Sequence, residues 1–581
     1  MSPSILFIAV FIYILFLFGL ARWGDRQQFS EHSIVRHPAV YALALGVYCT
    51  SWTFYGLVGT ASEQGWRFLP ILLGPILLFT IGYPLLERIR RVTRQEHIHS
   101  IADFIASRYG KRQGVAATVS LVVLLAIIPY IALQLKAVSD TLLLTIGDNF
   151  LASQDITFLI AVSMIVFSLL FGARRLDMSG YHSGLMSAIA FESVVKIGVL
   201  VVIAVFALSW LPSDAFKPSA DVFKTDFFTV NHMFADKPSW LRFFIETVLA
   251  MCAVFCLPRM FHVTFVECLS KEHLKKSRWL FVSYLIIISL CVLLIASVGN
   301  TLFYGELAVN GDNYVIALPL MKDLSWLALL AFLGGFSAAT AMIIVATITL
   351  SQMFSNDVIL PLLVRRRNAT NQTSDFSRSL IIARRLMVLF VVLSAYLYQI
   401  ILAENVALTS IGLIAFALVV QLAPGILFGL YWRKGNAYGL YAGLVVGLSL
   451  WFYTLMIPLL VNAGLISPLV LEDGLFGLAW LKPESLFGLS FGDSFTRGVM
   501  ISLGANIIFY CWYSFTSNEN FSDRVQANAF TNLEKTVYKP YQDINLEDLY
   551  RLLQEFLGTK MTESLFDVCG QGVTANNKLL L

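Results

Sequence analysis

Long apolar stretches alternate with short polar segments from residue 5 to residue 516. A helix needs about 20 apolar residues to cross a bilayer, and thirteen stretches come near that length. They lie at approximately 5–22, 38–60, 68–86, 114–139, 156–173, 184–209, 244–265, 279–303, 325–356, 384–403, 407–431, 437–458 and 496–516. The first has no basic leading region and no small-residue cleavage site, so we expect it to remain as an anchor helix. The pattern predicts an all-α membrane protein with about 13 transmembrane helices.

The composition agrees with this prediction and excludes other classes of protein. Hydrophobic residues make up 57% of the 581 residues and charged residues only 13%, whereas soluble domains are about 25% charged. The net charge of +4 is small and dispersed, and no stretch combines basic clusters with aromatic platforms, so we expect no nucleic-acid partner. The seven cysteines lack the spacing of a zinc site or a disulfide scaffold, and we interpret them as reduced packing residues without a bound metal. They are Cys49, Cys252, Cys256, Cys268, Cys291, Cys511 and Cys569.

The basic residues of the loops predict the orientation. With the N-terminus outside, the cytoplasmic loops hold roughly twenty-four Lys and Arg against about eight in the outer loops. This bias favours an N-out, C-in arrangement with an odd number of spans.

The thirteen spans divide into one anchor, ten core helices and two additional helices. Transporters often contain two inverted sets of five helices whose first members are broken near the bilayer centre, and here these sets are spans 2–6 and 7–11. The second span contains Gly46, Gly56 and Gly59, and the seventh contains Pro258. Because Gly and Pro are common in membrane helices, ordinary helix packing remains an alternative for each proposed break.

Five segments follow from this division. We predict an anchor and loop at 1–37, a core at 38–431, two further helices at 432–516, a linker at 517–544 and a small cytoplasmic helical segment at 545–581. Within the last segment, Asn545 is placed as the N-cap of an amphipathic helix that ends at Gly558.

Two charges interrupt the sixth span. Glu192 and Lys196 lie four residues apart, so they share one helix face with the acid in the favourable N-terminal position. Intramembrane charges usually face the protein interior and pair. We interpret them as an intramembrane ion pair, which either locks the helix to its neighbours or makes Glu192 a proton-coupling group.

The substrate site is expected between the two broken helices and the fourth span. Ser51, Trp52 and Tyr55 follow the first break, while Tyr130 and Gln134 share a face of the fourth span. These side chains would suit a small polar solute, with core packing as the alternative. Arg259 and His262 are placed near the cytoplasmic end, where basic residues need no functional explanation.

Several motifs make the chain resemble the sodium/solute symporter family, and most closely the transporter-like module of bacterial sensor histidine kinases of the carbon–nitrogen balance type. The resemblance covers roughly residues 38–516. The motifs are "SIADFIASRYGKR" (100–112), "IPYIALQLKAVS" (128–139), "LPRMFHVTFVE" (257–267), "DNYVIALPL" (312–320), "GGFSAATAMIIVATITLSQMFSNDVILPLL" (334–363) and "LIAFALVVQLAPGILFGLYWRKGN" (413–436).

The resemblance implies a cation site. It places two sodium-binding carbonyls at Gly46 and Cys49, with the other half of the site at Ser337 and Thr340. Sliding the alignment by one residue substitutes Ala338, Ala341 and Met342 and removes the hydroxyls. Since a hard cation needs several oxygen ligands, either Na⁺ or H⁺ is expected as the coupling ion, and no other cofactor is expected.

Two functions remain open from the sequence. The first is secondary transport of a small polar solute, with an amino acid preferred and histidine suggested by the resemblance. The second is a solute-sensing input module whose C-terminal helices meet a cytoplasmic kinase or signalling domain, with little or no transport. The chain itself holds no catalytic motif and no kinase phosphoacceptor. Either way, we expect a multi-pass protein of the bacterial cytoplasmic (inner) membrane.

Overall fold

The computed structural model describes residues 3–27, 34–146, 153–172, 182–210, 237–303, 309–368, 377–403, 406–517 and 521–531. These residues are predominantly helical, and no strand occurs among them. The thirteen apolar stretches all lie in helices, but among the described residues nine helices are long and apolar enough to cross a membrane, or up to eleven if each bent pair is one span. The stretches 38–60 and 68–86 fall largely within one bent pair, which ends at Thr80. The number of membrane crossings and the orientation remain predictions.

The helices of the first half begin with the N-terminal anchor. They are α1 (Pro3–Gln27), α2 (Pro38–Ala44), α3 (Leu57–Gln64), α4 (Leu69–Thr80), α5 (Tyr83–Gln95), α6 (Ile101–Arg108), α7 (Gln113–Ile146), α8 (Ser153–Gly172) and α9 (Ser183–Ser209).

The second half begins with the second bent span and continues to the last described helix. Its helices are α10 (Lys237–Cys256), α11 (Pro258–Phe261), α12 (Lys271–Leu302), α13 (Tyr314–Met321), α14 (Ser325–Phe354), α15 (Leu360–Asn368), α16 (Ser377–Tyr398), α17 (Leu408–Val419), α18 (Ala423–Tyr431), α19 (Ala437–Trp451), α20 (Ile457–Asn462), α21 (Leu469–Glu472), α22 (Ser494–Thr516) and α23 (Phe521–Thr531).

Both proposed breaks occur where the sequence predicts them. The second span bends by 73° between Tyr48 and Trp52, and the seventh bends by 59° between Cys256 and Pro258; these are called the first and second broken spans. Cys49 and Leu257 have extended backbone at these points, and Pro258 cannot donate the hydrogen bond that would continue the helix. A π-helical segment follows each break, at Trp52–Gly56 and His262–Val266. The breaks therefore leave backbone carbonyls free in the middle of the bundle.

Small residues let the central helices approach closely. A Cβ added to Gly46 would lie 2.6 Å from Ser193 Oγ of α9, and one added to Gly335 of α14 would lie 2.0 Å from the hydroxyl of Tyr55. Glycine and alanine are favoured where membrane helices pack backbone to backbone. The first broken span therefore lies directly against α9 and α14.

The anchor α1 packs along this core on one side only. Leu17 is buried with Phe167, Ile344 and Ile348, whereas most of the large apolar side chains of α1 are exposed, as expected for a helix that faces lipid.

The C-terminal helices pack through a row of glycines. Gly439, Gly443 and Gly447 of α19 face Ser514, Tyr510 and Asn506 of α22, with no room for a side chain at any of the three. After α22, the structure differs from the predicted linker at 517–544 because residues 521–531 form α23. An ion pair of 3.0 Å between Arg112 and Asp523 fixes this short helix to the bundle. The predicted helix at 545–558 lies outside the described residues.

Candidate functional site

The two carbonyls predicted to bind sodium are occupied by a lysine. The ammonium of Lys196 donates hydrogen bonds of 2.9 Å to Gly46 O and 2.8 Å to Cys49 O. All three residues are buried. Gly46 O also accepts from the backbone N–H of Cys49 over 3.0 Å. Gly46 packs against Ser193, which lies one helical turn before Lys196 on α9. A covalently attached cation therefore lies at the expected position of the coupling ion.

The other half of the predicted cation site faces Glu192. Thr340 Oγ donates to Glu192 Oε1 over 2.7 Å, and Ser337 Oγ donates to the backbone oxygen of Glu192 over 3.3 Å. The hydroxyl of Tyr13 in the anchor helix donates to Ser337 Oγ over 2.8 Å. Both hydroxyl residues of the first alignment, Ser337 and Thr340, therefore contact Glu192.

The geometry corrects the interpretation of Glu192 and Lys196 as a direct ion pair. Among the described residues, no contact within 4.0 Å joins the two charged groups. Each has its own partner on a different neighbouring helix, because the broken span offers carbonyls to Lys196 and α14 offers a hydroxyl to Glu192. Their charges still interact through space along the same face of α9.

Four of the five predicted substrate residues lie close together and are fully buried. The backbone N–H and the hydroxyl of Ser51 both donate to Gln134 Oε1, over 3.1 and 2.7 Å. The Trp52 ring meets the Tyr130 ring edge-on, with 6.3 Å between centroids. These contacts join the first broken span to α7.

An aromatic residue that the sequence analysis did not single out completes this group. Phe416 of α17 stacks on Tyr130 at 5.7 Å and meets Trp52 at 5.1 Å between centroids. Trp52 Nε1 donates to Thr409 Oγ over 3.1 Å. Phe416 lies within a continuous apolar stretch, and no sequence signal distinguishes it from a packing residue.

Tyr55, the fifth predicted substrate residue, packs elsewhere. Its ring lies over Gly335 of α14, and its hydroxyl donates to Ala331 O over 3.2 Å. The π-helical segment Trp52–Gly56 separates the directions of Trp52 and Tyr55. Tyr55 therefore holds the broken span to α14 in this structure.

Arg259 belongs to the centre of the bundle and not to its end, contrary to the expectation from the sequence. Its guanidinium carbon lies 4.6 Å from the centroid of the Tyr130 ring, and Nη2 donates to the Tyr130 hydroxyl over 3.0 Å. The side chain is fully buried. In the described part of the chain its Nε and Nη1 have no hydrogen-bond partner. The signal was its position directly after Pro258, because a break turns the next residue into the bundle.

His262 joins a second polar cluster. Glu267 Oε1 accepts from His182 Nδ1 at 2.6 Å and from His262 Nε2 at 3.0 Å. Burial alone would raise the pKa of Glu267, but the hydrogen bonds from the two histidines outweigh it and lower the pKa to about 2. These three side chains are a possible metal-ligand set, although their hydrogen bonds already satisfy one another. A small pocket lined in part by His182, His262 and Pro258 adjoins this cluster.

Comparison with known proteins agrees with this geometry. The family model of the Sodium:solute symporter family matches residues 34–447. The chain is 23% identical over 408 residues to the uncharacterized symporter YodF of Bacillus subtilis (strain 168), covering 69% of this chain and 76% of the relative. It is 26% identical over 437 residues to the uncharacterized symporter YhjB of the same organism, covering 72% of this chain and 80% of the relative.

A solved structure has the same fold. A Na⁺-coupled sialic acid symporter in a substrate-bound, outward-open state aligns with a TM-score of 0.62 at 16% identity, covering 89% of this chain and 98% of that one.

Broken helices around a buried polar centre define a multi-pass membrane transporter. The chain belongs to the sodium:solute symporter family. Membership implies a small-molecule substrate and a lipid bilayer as surroundings, and it is consistent with the bacterial inner membrane.

Proposed function

We propose that this protein is a secondary transporter of a small polar solute in which a proton on Lys196 replaces sodium as the coupling ion. The observation that carries the proposal is the pair of hydrogen bonds from the Lys196 ammonium to Gly46 O and Cys49 O. Sodium needs several oxygen ligands at once. An ammonium that already uses two of them leaves an incomplete set.

Lysine is suited to this role because, unlike arginine, it can change its charge when it is buried. With its proton, the amine is a cation that bridges the broken span to α9. When the proton leaves to water or to a carried solute, the amine is neutral and its hold on the two carbonyls weakens. Binding and release of one proton would therefore make and break the contact between the first broken span and α9. A coupling sodium at this position would make the same contact.

The solute site is proposed at Ser51, Trp52, Tyr130 and Gln134, with Arg259 and Phe416 added from the structure. An amino acid, including histidine, remains the proposed class of solute, and the described contacts provide both aromatic and amide surfaces for it. The sialic acid and sodium coupling named for the structural neighbour are properties of that protein, since 16% identity supports the fold alone.

The sensor alternative receives no support from the reported relatives, which are symporters. A kinase partner would meet the C-terminal helices beyond residue 531, which lie outside the described residues. We therefore retain sensing only as a hypothesis and base the proposed function on transport.

Uptake into proteoliposomes tests the proposal. We expect labelled amino acids or other small polar solutes to accumulate under an inward proton gradient and not under a sodium gradient alone. Lys196→Met should abolish proton-driven accumulation, while Lys136→Met, a lysine that pairs with Asp140 at 3.6 Å, should retain it. Sodium-driven accumulation in the unmodified protein would contradict proton coupling.

A further inference from the structure

We propose that the solute carries a carboxylate and that Arg259 is the residue that recognises it. This inference rests on the proposed transport function and specifies the class of solute.

The first support is an unbalanced charge at the centre of the bundle. Arginine remains protonated in proteins, and a buried charge is costly unless it is paired and hydrogen-bonded. Arg259 is fully buried, and only its Nη2 has an acceptor among the described residues. The other two guanidinium nitrogens, Nε and Nη1, therefore have no hydrogen-bond acceptor in the described part of the protein.

The buried carboxylates nearby already have other partners. Glu192 accepts from Thr340, and Glu267 accepts from His182 and His262. Lys196 does not relieve Arg259 either, because the two positive groups are close enough to repel each other. Among the described residues Arg259 therefore has no carboxylate partner, and an anionic ligand would balance its positive charge.

The second support is the position of Arg259 directly after the break of the second broken span and against α7. It contacts Tyr130 of α7. The Tyr130 ring in turn packs edge-on against Trp52 of the first broken span. An anion on Arg259 would therefore join both broken spans and α7 and could favour one arrangement of the bundle over another.

The surroundings limit the rest of the solute. The guanidinium lies over the ring of Tyr130, and Trp52 and Phe416 pack against that ring, so a compact body of mixed polarity fits better than a long polar chain. Amino acids and simple monocarboxylates share this chemistry.

Pairs of compounds that differ only in the carboxylate test whether the protein recognises that group. Purified full-length protein would be heated with each natural amino acid and with two- to six-carbon monocarboxylates, and each compound would be compared with its amide. We expect at least one carboxylate to raise the melting temperature in a saturable way and its amide to bind about tenfold more weakly or not at all. A melting-temperature shift with amino acids but not with monocarboxylates would identify an amino-acid site. A shift with monocarboxylates but not with amino acids would identify a site that needs no ammonium group on the solute.

Variants then assign the recognition to Arg259. Arg259→Gln should lose the carboxylate-dependent shift, Arg259→Lys should retain part of it, and Arg384→Gln, at another buried arginine, should bind normally. If Arg259→Gln does not fold, the carboxylate and amide comparison in the unmodified protein still decides. Equal binding of carboxylate and amide, binding by none of the carboxylates, or normal binding by Arg259→Gln would overturn the proposal.

The binding assay is independent of transport. Carboxylate binding without gradient-driven uptake would refute the proposed function and leave this inference standing. Proton-driven uptake of a solute that has no carboxylate would support the proposed function and refute this inference.

Discussion

Three charged side chains lie in the buried centre, and their partners differ in kind. Lys196 is hydrogen-bonded to two backbone carbonyls, Glu192 to a hydroxyl, and Arg259 to one phenol with two nitrogens unsatisfied. A carbonyl pair and a hydroxyl are the ligands of a small cation, whereas an unsatisfied guanidinium is a ligand for an anion. Under the proposed function, Lys196 and Glu192 would have the cation role and Arg259 the anion role of one site.

Glu192 is predicted to offset the two neighbouring cations. Glu192→Gln keeps the shape of the side chain but removes its charge, so Lys196 and Arg259 would repel without compensation. We expect the free energy of unfolding to fall by about 1–3 kcal/mol, measured by thermal or denaturant unfolding in mild detergent. Glu272→Gln, on the exposed start of α12, is the control, and equal stability of the two variants would contradict this role for Glu192.

At the scale of elements, the two broken spans provide the site with free backbone groups. Each combines an extended residue with a following π-helical segment. A π turn inserts a residue into the helical repeat and redirects the side chains beyond it. This accounts for Trp52 facing α7 while Tyr55 faces α14.

The glycine row between α19 and α22 makes a prediction about an element far from the broken spans. A leucine at position 443 would place its Cβ 2.6 Å from Asn506 Oδ1 and 2.8 Å from the backbone oxygen of Asn506. We expect Gly443→Leu to destabilise the protein by about 1–3 kcal/mol through overpacking. Gly504→Leu on α22, where nothing lies within 4 Å, should change the melting temperature little. Similar melting temperatures for both variants would show that the close packing of α19 and α22 is not required.

The sequence predicts elements better than it predicts partners. Apolar length identifies the helices, and glycine and proline identify the breaks, because both properties are local. The hydrogen bonds of Lys196 depend on how the first broken span rotates against α9, and spacing within one helix cannot give that rotation. The spacing of Glu192 and Lys196 suggested a direct pair, whereas the neighbouring helices offer each group a closer partner.

Two further differences have the same origin. Helix α23 was predicted as part of a linker because its sequence is polar, yet Asp523 is buried against Arg112 of the core. Arg259 was placed near the membrane surface by its position along the span, but the break brings it to the centre. In both cases tertiary contacts determine the surroundings of a charged residue.

For the whole molecule, the buried charges bear directly on the proposed coupling ion. The chain shares its fold with a sodium-coupled symporter and belongs to the sodium:solute symporter family. The carbonyls of Gly46 and Cys49 nevertheless hold the ammonium of Lys196. The central claim is therefore that the protein carries its own cation at the position where a coupling sodium is expected.

Sodium-dependent stability tests this claim most directly, because it requires no knowledge of the solute. The melting temperature of the purified protein would be measured in sodium chloride and in choline chloride at equal ionic strength, for the unmodified protein, Lys196→Ala and the control Lys136→Ala. We expect no sodium effect in the unmodified protein or the control. Lys196→Ala should be stabilised by sodium, by about 2.7 kcal/mol when sodium is present at 100 times its dissociation constant. Sodium stabilisation of the unmodified protein that disappears in Lys196→Ala would contradict the account.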